Sequence, residues 1–319
     1  MAAAAQMGCG VKTAILLLAL AASSLQAANY YIIITGLGGE PEYETQFAKW
    51  GSDLERELKT NGPETHIQRL EGNAATREHI QQTFSQVASQ IQPDDAFGLF
   101  LIGHGTFDGT EYKFNIPGPD ITAVELAALL NRVPATRQLV VNMTSCSGGS
   151  IPALAKKNRI VITATKSGTE KNAPVFPRYW IDALQDPAAD SDKNGTVSVL
   201  EAFNYTQRKT AAYFESEKLL ATEHSLFTDT GSKNAVRDPK PDNGQGLLAA
   251  AYPVLRPPVE NAQVGANPEK QKLVSKKEAI EAKIDRLKYQ KSSMPEEEYK
   301  QQLTALLLEL ARTQAEIDR

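Results

Sequence analysis

Two stretches decide how this chain is read: Leu99-Phe100-Leu101-Ile102-Gly103-His104-Gly105 and Val140-Val141-Asn142-Met143-Thr144-Ser145-Cys146-Ser147-Gly148-Gly149. Each is a continuous apolar run that ends in a glycine-rich turn. Continuous rather than alternating apolar character predicts a strand buried on both faces, the mark of a parallel sheet. One run ends at a His and the other at a Cys, 42 residues apart. These are the elements of a cysteine nucleophile with its base.

A thiol attacks a carbonyl only as thiolate, so it needs a base or a lowered pKa. His104 is the candidate base and Cys146 the candidate nucleophile. The oxyanion that develops needs N–H donors. Gly105 and the turn at Cys146 and Ser147 offer them, since glycine lets a backbone approach closely. Taken singly, a Cys after a strand is a small buried hydrophobe, and a His before a Gly is a turn residue. On the residues alone both readings stay open.

Outward from these blocks, strands and helices alternate. Tyr30-Tyr31-Ile32-Ile33-Ile34 ends at Gly36-Leu37-Gly38-Gly39. Helical spacing follows over about 44–58, a short strand over 65–70, a helix over 75–91 with Ile80, Phe84, Val87 and Ile91 on one face, another near 123–130, and a strand at 160–162. The segment between His104 and residue 123 reads as irregular. The pattern predicts an α/β fold with a mostly parallel sheet, in which sites form beyond the carboxyl ends of strands. Gly36-Leu37-Gly38-Gly39 lacks the third glycine of a dinucleotide fingerprint.

The chain has 319 residues, 41% hydrophobic and 23% charged, with a net charge of −4. That balance gives no electrostatic pull toward nucleic acid. Residues 1–27 read as a signal peptide: Lys12, then an uncharged apolar core over 14–22, then small residues for cleavage. The core is too short to span a bilayer, so no stable membrane insertion is expected after its removal. Export to a periplasm or the exterior follows. Cleavage would remove Cys9 and leave Cys146 unpaired in an oxidising compartment, a thiol to flag as reactive.

Residues 28–252 are expected to form the main domain. Pro253, Pro257, Pro258, Gly265 and Pro268 mark a linker over 253–268. Over 269–319 the composition turns to Lys, Glu, Ala, Gln and Leu. Leu273, Ile280, Ile284 and Leu287 share one helical face, and Tyr299, Leu303, Leu306, Leu310, Thr313 and Ile317 trace a heptad seam. Ser293 and Glu296 read as a capping box between them. The expectation is an antiparallel helical hairpin with coiled-coil character. Its stripe is buried on the main domain, or else serves self-association or docking.

Asp190-Ser191-Asp192-Lys193-Asn194-Gly195-Thr196-Val197-Ser198-Val199-Leu200-Glu201 fits an EF-hand-type calcium loop. Asp190, Asp192, Asn194, Thr196 through its carbonyl, Ser198 and Glu201 are the candidate ligands. A solvated acidic turn that caps a helix is the simpler alternative. A lone loop of this kind suits a structural ion. The remaining histidines, His66, His79 and His224, are dispersed and have no zinc spacing. Glu223-His224 reads as a surface pair, and Asp108 and Glu111 as loop residues.

The two glycine-rich blocks resemble the catalytic blocks of the caspase/legumain clan of cysteine peptidases, and more closely the legumain-like family in its bacterial exported form. The resemblance covers about 29–230. It implies a caspase-like three-layer α/β fold, Cys146 as nucleophile, His104 as base, and an oxyanion hole from the N–H groups of Gly105 and Cys146. Legumains carry an Asn after the first strand that orients the His. Here that loop reads Gly36-Leu37-Gly38-Gly39-Glu40, with no Asn, and a backbone carbonyl is the substitute. The expected activity is cysteine endopeptidase cleavage of a peptide or protein substrate. An inactive calcium-binding interaction module and a transpeptidase with the same dyad are the alternatives.

Overall fold

The computed structural model describes residues 27–255 and 268–318. All of the expected signal segment except Ala27, and most of the expected linker, lie outside the described residues.

The chain opens with β1 (Asn29–Thr35), α1 (Pro41–Lys59), β2 (Thr65–Leu70), α2 (Arg77–Gln90) and β3 (Ala96–Gly103). Three short strands follow, β4 (Gly105–Phe107), β5 (Tyr112–Phe114) and β6 (Ile121–Thr122), then α3 (Ala123–Arg132) and β7 (Arg137–Thr144). Next come α4 (Ile151–Leu154), β8 (Arg159–Thr163), α5 (Phe176–Ala183), β9 (Val197–Ser198) and α6 (Val199–Ser216). The last elements are β10 (Leu226–Thr228), α7 (Leu247–Ala250), β11 (Pro253–Leu255), α8 (Pro268–Tyr289) and α9 (Glu296–Ile317).

The main sheet has the order β10-β8-β7-β3-β1-β2. Five strands run parallel, and β10 pairs antiparallel with β8 at the edge. Strand order reverses between β1 and β3, so their carboxyl ends flank the crevice where such folds place ligands, and the end of β7 lies next to β3. The continuous apolar runs explain the burial. All eight residues of β3 are buried, as are all but the first of β7.

Alternate side chains supply two cores. On one face Ile33, Phe100, Ile102, Val141 and Ile162 pack with Phe47, Leu54, Trp180 and Phe203 of α1, α5 and α6. On the other, Ile32, Ile34, Leu99, Leu101, Val140 and Val161 pack with Ile80, Phe84, Leu126 and Leu130 of α2 and α3. Helices thus cover both faces, the three-layer α/β architecture that the resemblance implied.

Local signals fix the helix starts. Thr76 caps α2 through His79 N, and Thr122 with Glu125 makes a full capping box on α3. Pro41 begins α1, with Glu42 and Glu44 in its first turn, where the helix dipole favours negative charge.

The segment that read as irregular after His104 forms a three-stranded antiparallel sheet, β4-β5-β6. Its strands have two or three residues each, too short for periodicity to register. Pro253, expected to open the linker, instead begins β11, which pairs with β9. The C-terminal helices pack on one another antiparallel, with Lys276 of α8 opposite Glu309 of α9. Ile280, Ile284, Leu287, Thr313 and Ile317 are buried. The expected capping box at Ser293 does not form. Ser293 lies in a 3-10 turn, its hydroxyl donating to Gln290 O at 2.9 Å, and Pro295 takes the N-cap position of α9. No helix among the described residues is long and apolar enough to cross a membrane.

Candidate active site

Strands β3 and β7 are neighbours in parallel register, with Gly103 opposite Thr144. His104 and Cys146 therefore leave adjacent strand ends. The loops interlock there: Gly105 N donates to Ser145 Oγ at 3.0 Å, and that hydroxyl is 3.0 Å from Gly105 O.

A buried polar scaffold holds the cysteine turn. Asn142 Oδ1 accepts from Thr144 Oγ1 (2.8 Å) and Tyr112 OH (3.3 Å), while its amide donates to Ser150 Oγ (3.1 Å). Ser150 Oγ donates to Ser147 O at 2.6 Å. Over this scaffold Cys146 adopts φ 58°, ψ 7°, the left-handed region. A non-glycine residue pays a steric penalty there, and such residues concentrate at functional turns.

The His104 ring lies against α1, edge-on to Tyr43 (5.0 Å between centroids) and Phe47 (5.1 Å). Burial pushes its pKa down. A hydrogen bond to the Gly38 backbone and the nearby charges of Glu40 and Glu44 push it up. The Gly38 carbonyl thus lies beside the ring. Glu44 fixes that carbonyl's loop: its Oε1 accepts from Gly38 N at 2.8 Å and Gly39 N at 3.3 Å. On the other side, Asn115 N donates to His104 O at 3.1 Å.

Cys146 is 2% exposed and packs in the core that contains Tyr112. Burial raises its pKa, and Lys171 opposes that shift. Among the described residues no hydrogen bond joins His104 to Cys146. The structure brings the two residues to neighbouring strand ends and leaves their side chains uncoupled.

The two expected oxyanion donors are both engaged within the protein. Gly105 N is bonded to Ser145 Oγ, and Cys146 N donates to Glu170 O at 2.7 Å. The reason is general: buried N–H groups take the acceptor at hand. Glu170 belongs to the segment between β8 and α5. Its carboxylate accepts from His224 Nδ1 (2.5 Å), His224 N (3.2 Å) and Lys166 N (2.8 Å).

Nothing in the sequence marks Glu170, because its role is a main-chain contact made by an ordinary loop residue. Glu223 was expected at the surface and is buried, 6% exposed, with Oε2 accepting from Val175 N at 2.7 Å and Oε1 without a partner. Burial pushes its pKa up to about 8. Asp108 is a loop residue as expected, its carboxylate accepting from Thr110 N and Glu111 N.

In the acidic loop, carboxylate oxygens of Asp190, Asp192 and Glu201 lie within 4.8 Å of one another. Asn194 Oδ1 accepts from Thr196 N at 2.8 Å. Ser198 caps α6 and shares a capping box with Glu201, so these two serve the helix start as well. The α8 helix reaches this loop. Lys288 Nζ is 2.8 Å from Asp192, and Asn194 donates to Asp285 at 3.2 Å. Burial, together with the charges of Asp192 and Glu201, pushes Asp285 up to about 6.

No protein-family model matches this chain, and no curated protein matches it. Solved structures with a similar fold include protein GSU0716 from Geobacter sulfurreducens, 13% identical with a TM-score of 0.45, over 69% of this chain and 97% of that one. The initiator caspase Dronc of Drosophila is 11% identical with a TM-score of 0.43, over 64% and 80%. Caspase-1 from Spodoptera frugiperda is 13% identical with a TM-score of 0.46, over 64% and 87%. At these identities and scores the likeness carries no functional weight, which falls to the side-chain geometry.

Proposed function

We propose that this chain is an exported cysteine endopeptidase of the legumain-like type, acting through a thioester on Cys146 with His104 as base and acid. The observation that carries this reading is the register of β3 and β7. It delivers an imidazole and a left-handed cysteine to adjacent strand ends at the crevice of an α/β sheet. In the reaction, the thiol gives its proton to His104 and the sulfur attacks the peptide carbonyl. The C–N bond breaks as His104 protonates the leaving amine, and water then resolves the thioester. In this reading the Gly38 carbonyl orients the ring, and Glu44, which accepts from Gly38 N, acts through that loop as a positioning residue. A buried thiol and engaged N–H donors favour a second reading, an inactive peptidase-like interaction module. Hydrolysis of a mixed peptide library separates the two. Cleavage by the full chain that Cys146→Ala abolishes supports the enzyme, and equal turnover by both proteins refutes it.

We also propose that the 190–201 loop holds one structural calcium ion. The donor set fits a hard cation: the carboxylates of Asp190, Asp192 and Glu201 converge, and Asn194, the Thr196 carbonyl and Ser198 would add further oxygens when the ion is bound. Lys288 Nζ lies 2.8 Å from Asp192, a pairing the ion would displace or share. When bound, the ion would neutralise the acidic loop that joins α5 to α6. No catalytic step passes through it.

A further inference from the structure

We propose that the segment 164–175 is an autoinhibitory strap whose Glu170 carbonyl occupies the Cys146 N–H and whose Glu170–His224 contact is the latch. The proposal rests on the reading of Cys146 as a nucleophile. An N–H at the nucleophile serves catalysis only if it is free for the substrate's carbonyl oxygen as charge develops on it. Here a carbonyl of the protein's own chain holds it at 2.7 Å. A substrate must displace that carbonyl before it can be polarised.

The strap is seated at several independent points. Thr165 Oγ1 accepts from Gly148 N at 2.9 Å, and Thr165 N donates to Ser147 Oγ at 3.1 Å, both within the cysteine turn. The main chain of Lys166 and Ser167 runs so close to Gly148 that a Cβ there would lie 2.3 Å from it. The Phe107 ring fills the space beside Gly168, where a Cβ would lie 2.2 Å from the ring. Farther along, the Glu170 carboxylate is gripped by the ring and backbone N–H of His224, with Lys166 Nζ at 3.6 Å. The strap ends at Val175, whose N–H is held by Glu223.

The two latch residues come from loops on either side of the α5–α6 pair, 54 positions apart. The latch can therefore open without unfolding the sheet. Releasing it frees the Cys146 N–H and loosens the turn that carries the thiol, because the strap is bonded to that turn at Ser147 and Gly148.

The test is the rate at which iodoacetamide alkylates Cys146 in the full chain, read by peptide mass spectrometry, alongside hydrolysis of a peptide library. Glu170→Ala and His224→Ala cut the latch from its two ends, and Phe107→Ala loosens the strap without altering the latch. Each latch variant should raise alkylation about tenfold, the scale set by losing one charge-assisted hydrogen bond. The double variant should add little to either single, because both remove one contact. Faster alkylation with no hydrolysis by any variant keeps the strap and refutes the peptidase reading. Unchanged alkylation in all three variants, with Cys146-dependent hydrolysis already present in the parent chain, overturns the strap and keeps the peptidase.

Discussion

Replacing Glu223 with Gln should abolish a large pH dependence of stability. Glu223 is 6% exposed, one carboxylate oxygen has no partner, and Glu170 adds a like charge nearby. Its pKa rises from 4.5 to about 8, mainly because burial penalises the charged form. The folded state therefore holds this proton more tightly than the unfolded chain does. The stabilisation is fully present below the unfolded pKa and is lost as pH rises toward 8. A tenfold difference in proton affinity between the two states corresponds to about 1.4 kcal/mol, so the whole window spans about 5 kcal/mol. Between about pH 5 and about pH 7.5 this single group should cost the parent chain about 3 kcal/mol. Glutamine keeps an acceptor for the Val175 N–H and never ionises. Urea unfolding of both proteins at the two pH values isolates the effect: Glu223→Gln should gain about 3 kcal/mol on its parent at the higher pH relative to the lower. A constant difference between the proteins across that window would refute the reasoning.

Other outcomes follow from the same structure. Burial holds the His104 pKa below its ordinary 6.5, so the acid limb of peptide hydrolysis should fall below that value. Glu44→Ala frees the Gly38 loop and should lower kcat several-fold with KM little changed, shifting that limb further down; Glu44→Gln, which can still accept from Gly38 N, should recover most of kcat. Chelation of calcium should lower the melting temperature of the parent chain by several degrees and leave an Asp190→Asn variant nearly unchanged, as scanning calorimetry would show. An equal shift in both would count against the 190–201 loop as the ion's site.

The parallel sheet was legible because its strands are long, continuous and β-branched, from Ile32-Ile33-Ile34 to Leu139-Val140-Val141. Burial on both faces leaves a signature that composition alone reveals. The small sheet after His104 left none, since its pairing is tertiary and its strands hold only two or three residues. The positions of His104 and Cys146 followed from where strands end. What the sequence withheld was the chemistry of contacts that no residue type announces. The Glu170 carbonyl on Cys146, the Gly38 carbonyl beside His104 and the Ser145 hydroxyl on Gly105 are of this kind, two of them backbone acceptors common to nearly every residue. Glu223-His224 defied its surface reading for a related reason. A charged dipeptide is exposed by default, and only the fold shows that α5 needs its N-terminal N–H groups satisfied there.

The central claim is that Cys146 is a nucleophile activated by His104, and acyl transfer to its sulfur is the direct measurement. Incubation of the full chain with an activated peptidyl ester, followed by intact and peptide mass spectrometry, should find an acyl group on Cys146. It should form at least about tenfold more slowly in His104→Ala and not at all in Cys146→Ala. Acylation of Cys146 at equal rates with and without the imidazole would contradict the account.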